Sequence, residues 1–411
     1  MLAVLHRRDF ALLWFGGLIS MTGDWLLLAA LPFYVYSRTS STIATALIIT
    51  AELVPNFLLT TFAGVSVDRW DRKRVMVLTS FASGLAVAGL LTVDVFGVLP
   101  VALAVVGTQA ALSTLFGPAE NALLPRLVEA DELVTANALN ALNNSLARLI
   151  GAPLGGLTLA VWGIAGVAII DAATFIVGAA LIAAIRAPGR AEITAEPAPA
   201  HFWREWREGL GLIVRTRAIL ALFVVLLLMN FGGVMTDPLF AAFIRDVVGA
   251  GPAVFGIVLT ARAVGGMVGG VVAARLSRRY PTVDLLAAAC IVAGAMQLLQ
   301  FNVPLLPVVL ATLFLLGIPA VTSSAAVQTL LQERVPDAYR GRVFGSLSTM
   351  VALICLVSVL GFGGALASVI GIVPVLTVSA LITASAGVFA RVTLGESRPV
   401  VPGGADAAEA A

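Results

Sequence analysis

Gly64-Val-Ser-Val-Asp68-Arg69-Trp70-Asp71-Arg72-Lys73-Arg74 sets six charges within seven residues of a chain that is otherwise largely apolar. The runs on either side, 43–63 and 75–93, are long enough at about 1.5 Å per residue to cross roughly 30 Å of hydrocarbon. The stretch therefore reads as a tight basic turn between two membrane-spanning helices. Arg69, Arg72, Lys73 and Arg74 place it on the cytoplasmic side, because positive residues in short loops stay inside. Charges in such a loop can serve topology alone.

Working outward, the 411 residues are 60% hydrophobic and 12% charged, against about a quarter charged in soluble domains. Apolar runs continue from end to end, so the whole chain reads as one polytopic membrane protein. The first run is too long, and too polar at its centre, for a cleaved signal peptide. Spans are expected near 10–36, 41–64, 75–95, 99–123, 137–160 and 163–186, then 218–244, 252–275, 282–302, 305–331, 343–369 and 371–394. With the N-terminus inside, cytoplasmic segments hold 21 of the 25 Lys and Arg residues; Arg38 and Arg245 fall outside, and Arg148 and Arg262 lie within spans. That bias predicts cytoplasmic termini at both ends. Cys290 and Cys355 fall in apolar spans and read as packing residues. The net charge of +2 is mostly topological and gives no reason to invoke nucleic acid.

The chain also repeats itself. An offset of 206 residues aligns Pro32 with Pro238, Gly64 with Gly270, Arg69 with Arg275, Arg72 with Arg278, and Gly155 with Gly361. Six spans plus six in parallel repeat is the layout of transporters whose halves rock about a midplane site. The expected organisation is a bundle over 1–186, a cytoplasmic linker over 187–217, a second bundle over 218–396 and a disordered tail over 397–411. Within the linker, Phe202, Trp206, Ile213 and, less regularly, Leu210 recur near helical spacing among charges. They predict an amphipathic helix on the membrane surface.

The opening stretch resembles the signature loop between helices 2 and 3 of the major facilitator superfamily, Gly-x-x-x-Asp-(Arg/Lys)-x-Gly-Arg-(Arg/Lys). Gly64, Asp68, Arg69, Arg72 and Lys73 match it, while Asp71 stands where the pattern has Gly. The segments Ser20 to Trp25, Ala30 to Pro32 and Val335 to Phe344, taken with that loop, are similar to one branch, that of macrolide efflux pumps and enterobactin-type siderophore exporters. The resemblance implies an all-α membrane protein, twelve transmembrane helices arranged as two six-helix pseudo-repeats. It also implies that Asp68 sits near the N-terminus of the eleventh span and latches the cytoplasmic side. A helix N-terminus favours a carboxylate there. Arg69, Arg72 and Glu120 would belong to the same latch. Gly151-Ala-Pro153-Leu-Gly155-Gly156 is similar to the Gly-Pro-x-x-Gly-Gly motif of drug/proton antiporters, with one residue inserted. Close packing of small residues, which any polytopic protein uses, accounts for it equally.

A charge at mid-bilayer costs a few kcal/mol, so each one needs a reason. Asp24 lies about 14 residues, roughly 20 Å, from the inner end of the first span; Glu52, Arg148 and Arg262 lie about 17–20 Å in. Asp171 and Asp237 lie somewhat further out. Two acids and two bases at one depth, from four spans, predict a shared polar cavity. Asp24 and Glu52 are the expected carriers of a coupled proton. Arg148, Arg262, Asn144, Asn56 and Asp237 are the expected cavity residues. Buried structural pairing of Asp24 or Glu52 with Arg148 or Arg262 is the competing reading.

Lys73 is the only lysine, so no phosphate loop of the Gly-x-x-x-x-Gly-Lys-(Ser/Thr) type exists. Neither a metal-ligand cluster nor a nucleophile elbow is apparent. The sequence therefore predicts a transporter that is no enzyme and has no cofactor, driven by protons or another coupling ion. It would act as a monomer in the inner membrane of a bacterium. Its expected task is export of a small amphipathic organic compound; nutrient import, or a non-transporting receptor on the same fold, are the alternatives.

Overall fold

The computed structural model describes residues 2–67, 70–189, 207, 210–211, 213–336 and 339–395. Every regular element among them is helical. The first six spans are α1 (Arg8–Thr39), α2 (Thr42–Val67), α3 (Arg72–Phe96), α4 (Val98–Leu123), α5 (133–162) and α6 (164–183). The second six are α7 (Arg217–Val247), α8 (Pro252–Leu276), α9 (Thr282–Asn302), α10 (Leu306–Arg334), α11 (340–370) and α12 (Ile372–Leu394). The end bearing Arg72, Lys73 and Arg74 is taken as the inner end, from its charge.

Eleven stretches among the described residues are long and apolar enough to cross a bilayer. Twelve spans result because the longest, Ala130–Ala183, would measure about 80 Å as one rod, far beyond the bilayer. Gly163 divides it, turning α5 back into α6 with φ 64° and ψ −165°. A side chain is disfavoured at that φ, so glycine is what permits so short a hairpin.

Asp71, which replaces the glycine of the general loop pattern, is the N-cap of α3 and accepts a hydrogen bond from the Arg74 amide at 3.0 Å. The chain leaving α6 is fastened to the same turn, since the Arg72 amide donates to the Gly189 carbonyl and Lys73 Nζ to that of Ile185. Asp71→Ala is expected to remove about 1 kcal/mol of stability, read as a lower midpoint of thermal unfolding in detergent. An unchanged midpoint would contradict the capping role.

Packing sorts into three cores. One lies at the outer end and draws on both bundles: Leu31, Phe33 and Ile48 from the first, Phe243, Phe255 and Val375 from the second. Two lie at the inner end and stay apart. Phe10, Met76, Leu123 and Ile185 belong to one, Ile213, Leu222, Leu330 and Leu394 to the other. Across the halves, α1 meets α7, α2 meets α11 and α5 meets α8. Among the described residues α4 and α10 form no comparable contact. Among the described residues the bundles share a core at the outer end and have separate cores at the inner end.

Of the expected linker helix, Arg207, Leu210, Gly211 and Ile213–Arg215 are helical, and Ile213 is fully buried in the second inner core. Phe202 and Trp206 lie outside the described residues, as does the tail after Gly395.

Candidate transport site

A cavity of about 310 Å³ opens at mid-depth between α1, α2 and α4. Its polar lining is Asp24, Glu52, Asn56, Gln109 and Ser113, set among Trp25, Leu28, Leu31, Ile48 and Val106. Helical spacing explains the convergence: Glu52 and Asn56 are four apart on α2, as are Gln109 and Ser113 on α4, so each pair shares a face. The volume is at the lower end of the range for small-molecule pockets, and a few polar groups on an apolar wall are their usual make-up.

Asp24, Glu52, Asp237, Arg262 and Asn144 are all exposed side chains in the middle of spans. Asp24 lies in the electrostatic reach of Glu52, Glu52 in that of Asp237, and Asp237 in that of Arg262. Arg148 in turn feels Arg262. Of the residues expected to share a cavity, Asp24, Glu52 and Asn56 line this one, whereas Arg148, Arg262, Asn144 and Asp237 do not, because it lies within the first bundle, between α1, α2 and α4.

No ion pair joins these groups among the described residues. Arg148 instead stacks its guanidinium over the Trp25 ring, 5.4 Å from the centroid, an attraction worth about 0.5–2 kcal/mol. Its Nε is buried without a hydrogen-bond partner. Its other end approaches Gly266 of α8, where an added Cβ would lie 3.6 Å from Nη2. Trp25 escaped the sequence reading, although an aromatic residue beside a mid-span acid was the available signal.

Two adjacent asparagines of α5 serve different purposes. Asn144 faces outward to open space, whereas its neighbour Asn143 is buried and donates to the Trp14 carbonyl at 2.9 Å. Trp14 Nε1 returns a bond to the Leu139 carbonyl at 2.9 Å, tying α1 to α5. Asn56 donates to the Glu52 carbonyl in its own helix.

Of the latch residues, Asp68 and Arg69 lie outside the described residues, and Gly64 lies in the last turns of α2. Arg72 donates to the Ala122 carbonyl at 2.9 Å, at the end of α4. Glu120 is buried, with the Asn140 side chain in its electrostatic reach. The two thus meet the same end of α4 without pairing to each other.

The glycine motif of α5 works on two sides. Gly151 and Gly155 lie against α1, where a Cβ would strike the carbonyls of Thr22 and Leu26. Gly156 points the other way, into α8 of the second bundle, where a Cβ would strike the Pro252 carbonyl and come within 2.9 Å of the Gly256 amide. Two backbones meet there because neither residue carries a side chain.

The outer closure has a polar clasp that the sequence reading missed. Tyr36 of α1 donates its hydroxyl to Asp246 of α7. Arg245 donates to the Tyr36 carbonyl at 3.3 Å and sits 5.6 Å above its ring. Tyr36→Phe is expected to weaken the closed outer end by about 1 kcal/mol, given a half-exposed carboxylate. The readout is faster labelling of a cavity cysteine by an impermeant maleimide from outside; an unchanged rate would contradict the clasp.

A family model described as Major Facilitator Superfamily matches residues 13–359 and, again, 222–410. Macrolide efflux protein A of Streptococcus pyogenes is 24% identical over 354 residues, spanning 84% of this chain and 86% of its own. Multidrug efflux pump Tap of Mycobacterium tuberculosis is 27% identical over 357 residues, spanning 84% of each chain. Among solved structures, a bacterial homologue of the iron transporter ferroportin in its inward-facing state superposes with a TM-score of 0.70 at 17% identity, covering 95% of this chain and 99% of that one. A bacterial homologue of ferroportin in its outward-facing state gives 0.58 at 17% identity, covering 94% and 98%.

Proposed function

Since the chain belongs to the major facilitator superfamily, we propose that this multi-pass transporter is a proton-coupled exporter of small amphipathic organic compounds, drugs, macrolide-like products or siderophores among them. It works by alternating access across the inner membrane of a bacterium, with both termini cytoplasmic. The observation that carries the reading is the mid-depth cavity, where two carboxyl groups, Asp24 and Glu52, stand on an otherwise apolar wall beside Trp25. Apolar surface and an aromatic ring suit an amphipathic guest. A carboxylate can take up a proton and lose its charge, so guest and proton compete for the same wall. Separate inner cores and a shared outer core support a state in which that wall is reached from inside. The efflux proteins of Streptococcus pyogenes and Mycobacterium tuberculosis noted above support the direction.

On this reading, Arg148 and Arg262 carry the charge balance of the cavity across the two bundles, and Gly64, Asp68, Arg69 and Arg72 close the inner end in the opposite state. The organisation into bundles over 1–186 and 218–396, joined by 187–217, belongs to the same proposal. The test is accumulation of erythromycin or ethidium in inverted membrane vesicles under an imposed pH gradient, acid inside. Accumulation above that of vesicles lacking the protein, abolished by a protonophore, is the expected result. No difference with either probe, together with uptake of a nutrient into intact cells, would overturn export in favour of import.

A further inference from the structure

Asp171 of α6 lies away from the cavity that Asp24 and Glu52 line. It has 0% of its surface exposed. Thr174, one turn on, shares its single hydroxyl proton between the Asp171 backbone carbonyl at 2.7 Å and Oδ1 at 3.3 Å, while Oδ2 is buried with no hydrogen-bond partner. Gly23 of α1 presses on the same group: a side chain at that position would collide with Asp171 Oδ1 and Thr174 Oγ1. The carboxyl group fills a notch in α1 that exists because residue 23 has no side chain. The next residue along α1 is Asp24, exposed on the cavity wall. Asp24 lies in the electrostatic reach of Asp171, and no ion pair forms at Asp171 among the described residues.

A carboxylate with an undonated oxygen, no ion pair and a like charge beside it is costly in a dry interior. The protonated group carries no charge and avoids that cost. Asp24, by contrast, can be hydrated from the cavity. Residues 23 and 24 thus set a wet carboxyl and a dry one on adjacent positions of a single helix. We propose that Asp171 is a second proton site of the transport cycle, exchanging its proton with Asp24 past the Gly23 notch. In the exchange an O–H bond of the Asp24 carboxyl breaks and one forms on Asp171. Asp24 is left as the carboxylate, and the total charge of the pair is unchanged. Such a pair titrates as a unit, so a proton can be stored behind the wall while Asp24 is free to meet a guest.

The proposal rests on the proton-coupled reading above, so its test includes a readout that needs no transported compound. Dicyclohexylcarbodiimide modifies protonated carboxyl groups in apolar surroundings, and mass spectrometry of the intact transporter's peptides locates the adduct. Labelling of Asp171 is expected to fall as pH rises from 5 to 9, and Asp24→Asn is expected to move the midpoint of that fall by about one pH unit, the coupling typical of interacting sites. A flat profile at Asp171, no adduct there at any pH, or a midpoint indifferent to Asp24→Asn would overturn it. In vesicles, Asp171→Asn is expected to lose gradient-driven erythromycin accumulation while keeping exchange of labelled for unlabelled erythromycin. Full gradient-driven activity in that variant would also overturn it. If wild-type vesicles move no erythromycin, the export reading fails and the labelling result stands on its own.

Discussion

Asp24→Asn and Glu52→Gln, each tested alone, are expected to lower gradient-driven accumulation of erythromycin in inverted vesicles by on the order of tenfold, equivalent to about 1.4 kcal/mol of coupling. Both substitutions preserve shape and hydrogen-bonding capacity while removing the group that can exchange a proton. Both sites stand exposed on one cavity wall, with Asp24 in the electrostatic reach of Glu52. Loss of the gradient-driven component with substrate exchange retained would mark a coupling role. Wild-type rates in both variants would remove these residues from the mechanism. A Glu52→Gln defect without one in Asp24→Asn would place the coupling at Glu52 rather than Asp24.

Gly156→Leu is expected to have an equally large effect by a different route. Its Cβ would press on the Pro252 carbonyl and the Gly256 amide, which are backbone atoms that no rotamer change can move. The helices α5 and α8 must separate, and overpacking of this kind costs about 1–3 kcal/mol. Because that cost falls only on the state closed outside, the equilibrium should shift toward the outward-open state by about 5- to 150-fold. The measurement is labelling of a cavity cysteine by an impermeant maleimide in right-side-out vesicles, together with loss of transport. Unchanged labelling and intact transport would mean that the crossing of α5 and α8 does not act as the outer seal. Gly155→Leu makes a useful contrast: it strikes Leu26 of α1 within one bundle, so it should lower stability without biasing the two states.

Much of the fold was legible because the bilayer leaves few options. Length and hydropathy place each span. Helix ends differ from expectation by a few residues where polar termini extend beyond the hydrocarbon, as in Arg8–Thr39 against 10–36. Two of the cavity's polar residues were legible for the same reason: charges are so costly at mid-span that Asp24 and Glu52 announce themselves, whereas Arg148 and Arg262, singled out the same way, do not line the cavity. What the sequence could not supply is direction around each helix. Asn143 and Asn144 are neighbours, yet one ties α1 to α5 and the other faces open space. A side-chain stripe locates a face to within one residue, and the difference between glue and cavity lies within that margin. Tyr36, Arg245 and Asp246 read as ordinary outer-end residues until two bundles 206 residues out of register bring them together. Likewise Asp71 looked like a lapse in a loop pattern until its cap on α3 was visible.

Single cysteines at positions 24, 52, 237 and 262, in a background with Cys290 and Cys355 replaced by Ala, can be challenged with an impermeant maleimide from either face. Two bundles enclosing water at mid-depth and closed outside predict that all four react in inverted vesicles and scarcely react in right-side-out ones. Failure of all four with the water-soluble reagent from both faces, alongside ready reaction with a lipid-soluble maleimide, would turn these side chains toward the bilayer and contradict the shared cavity.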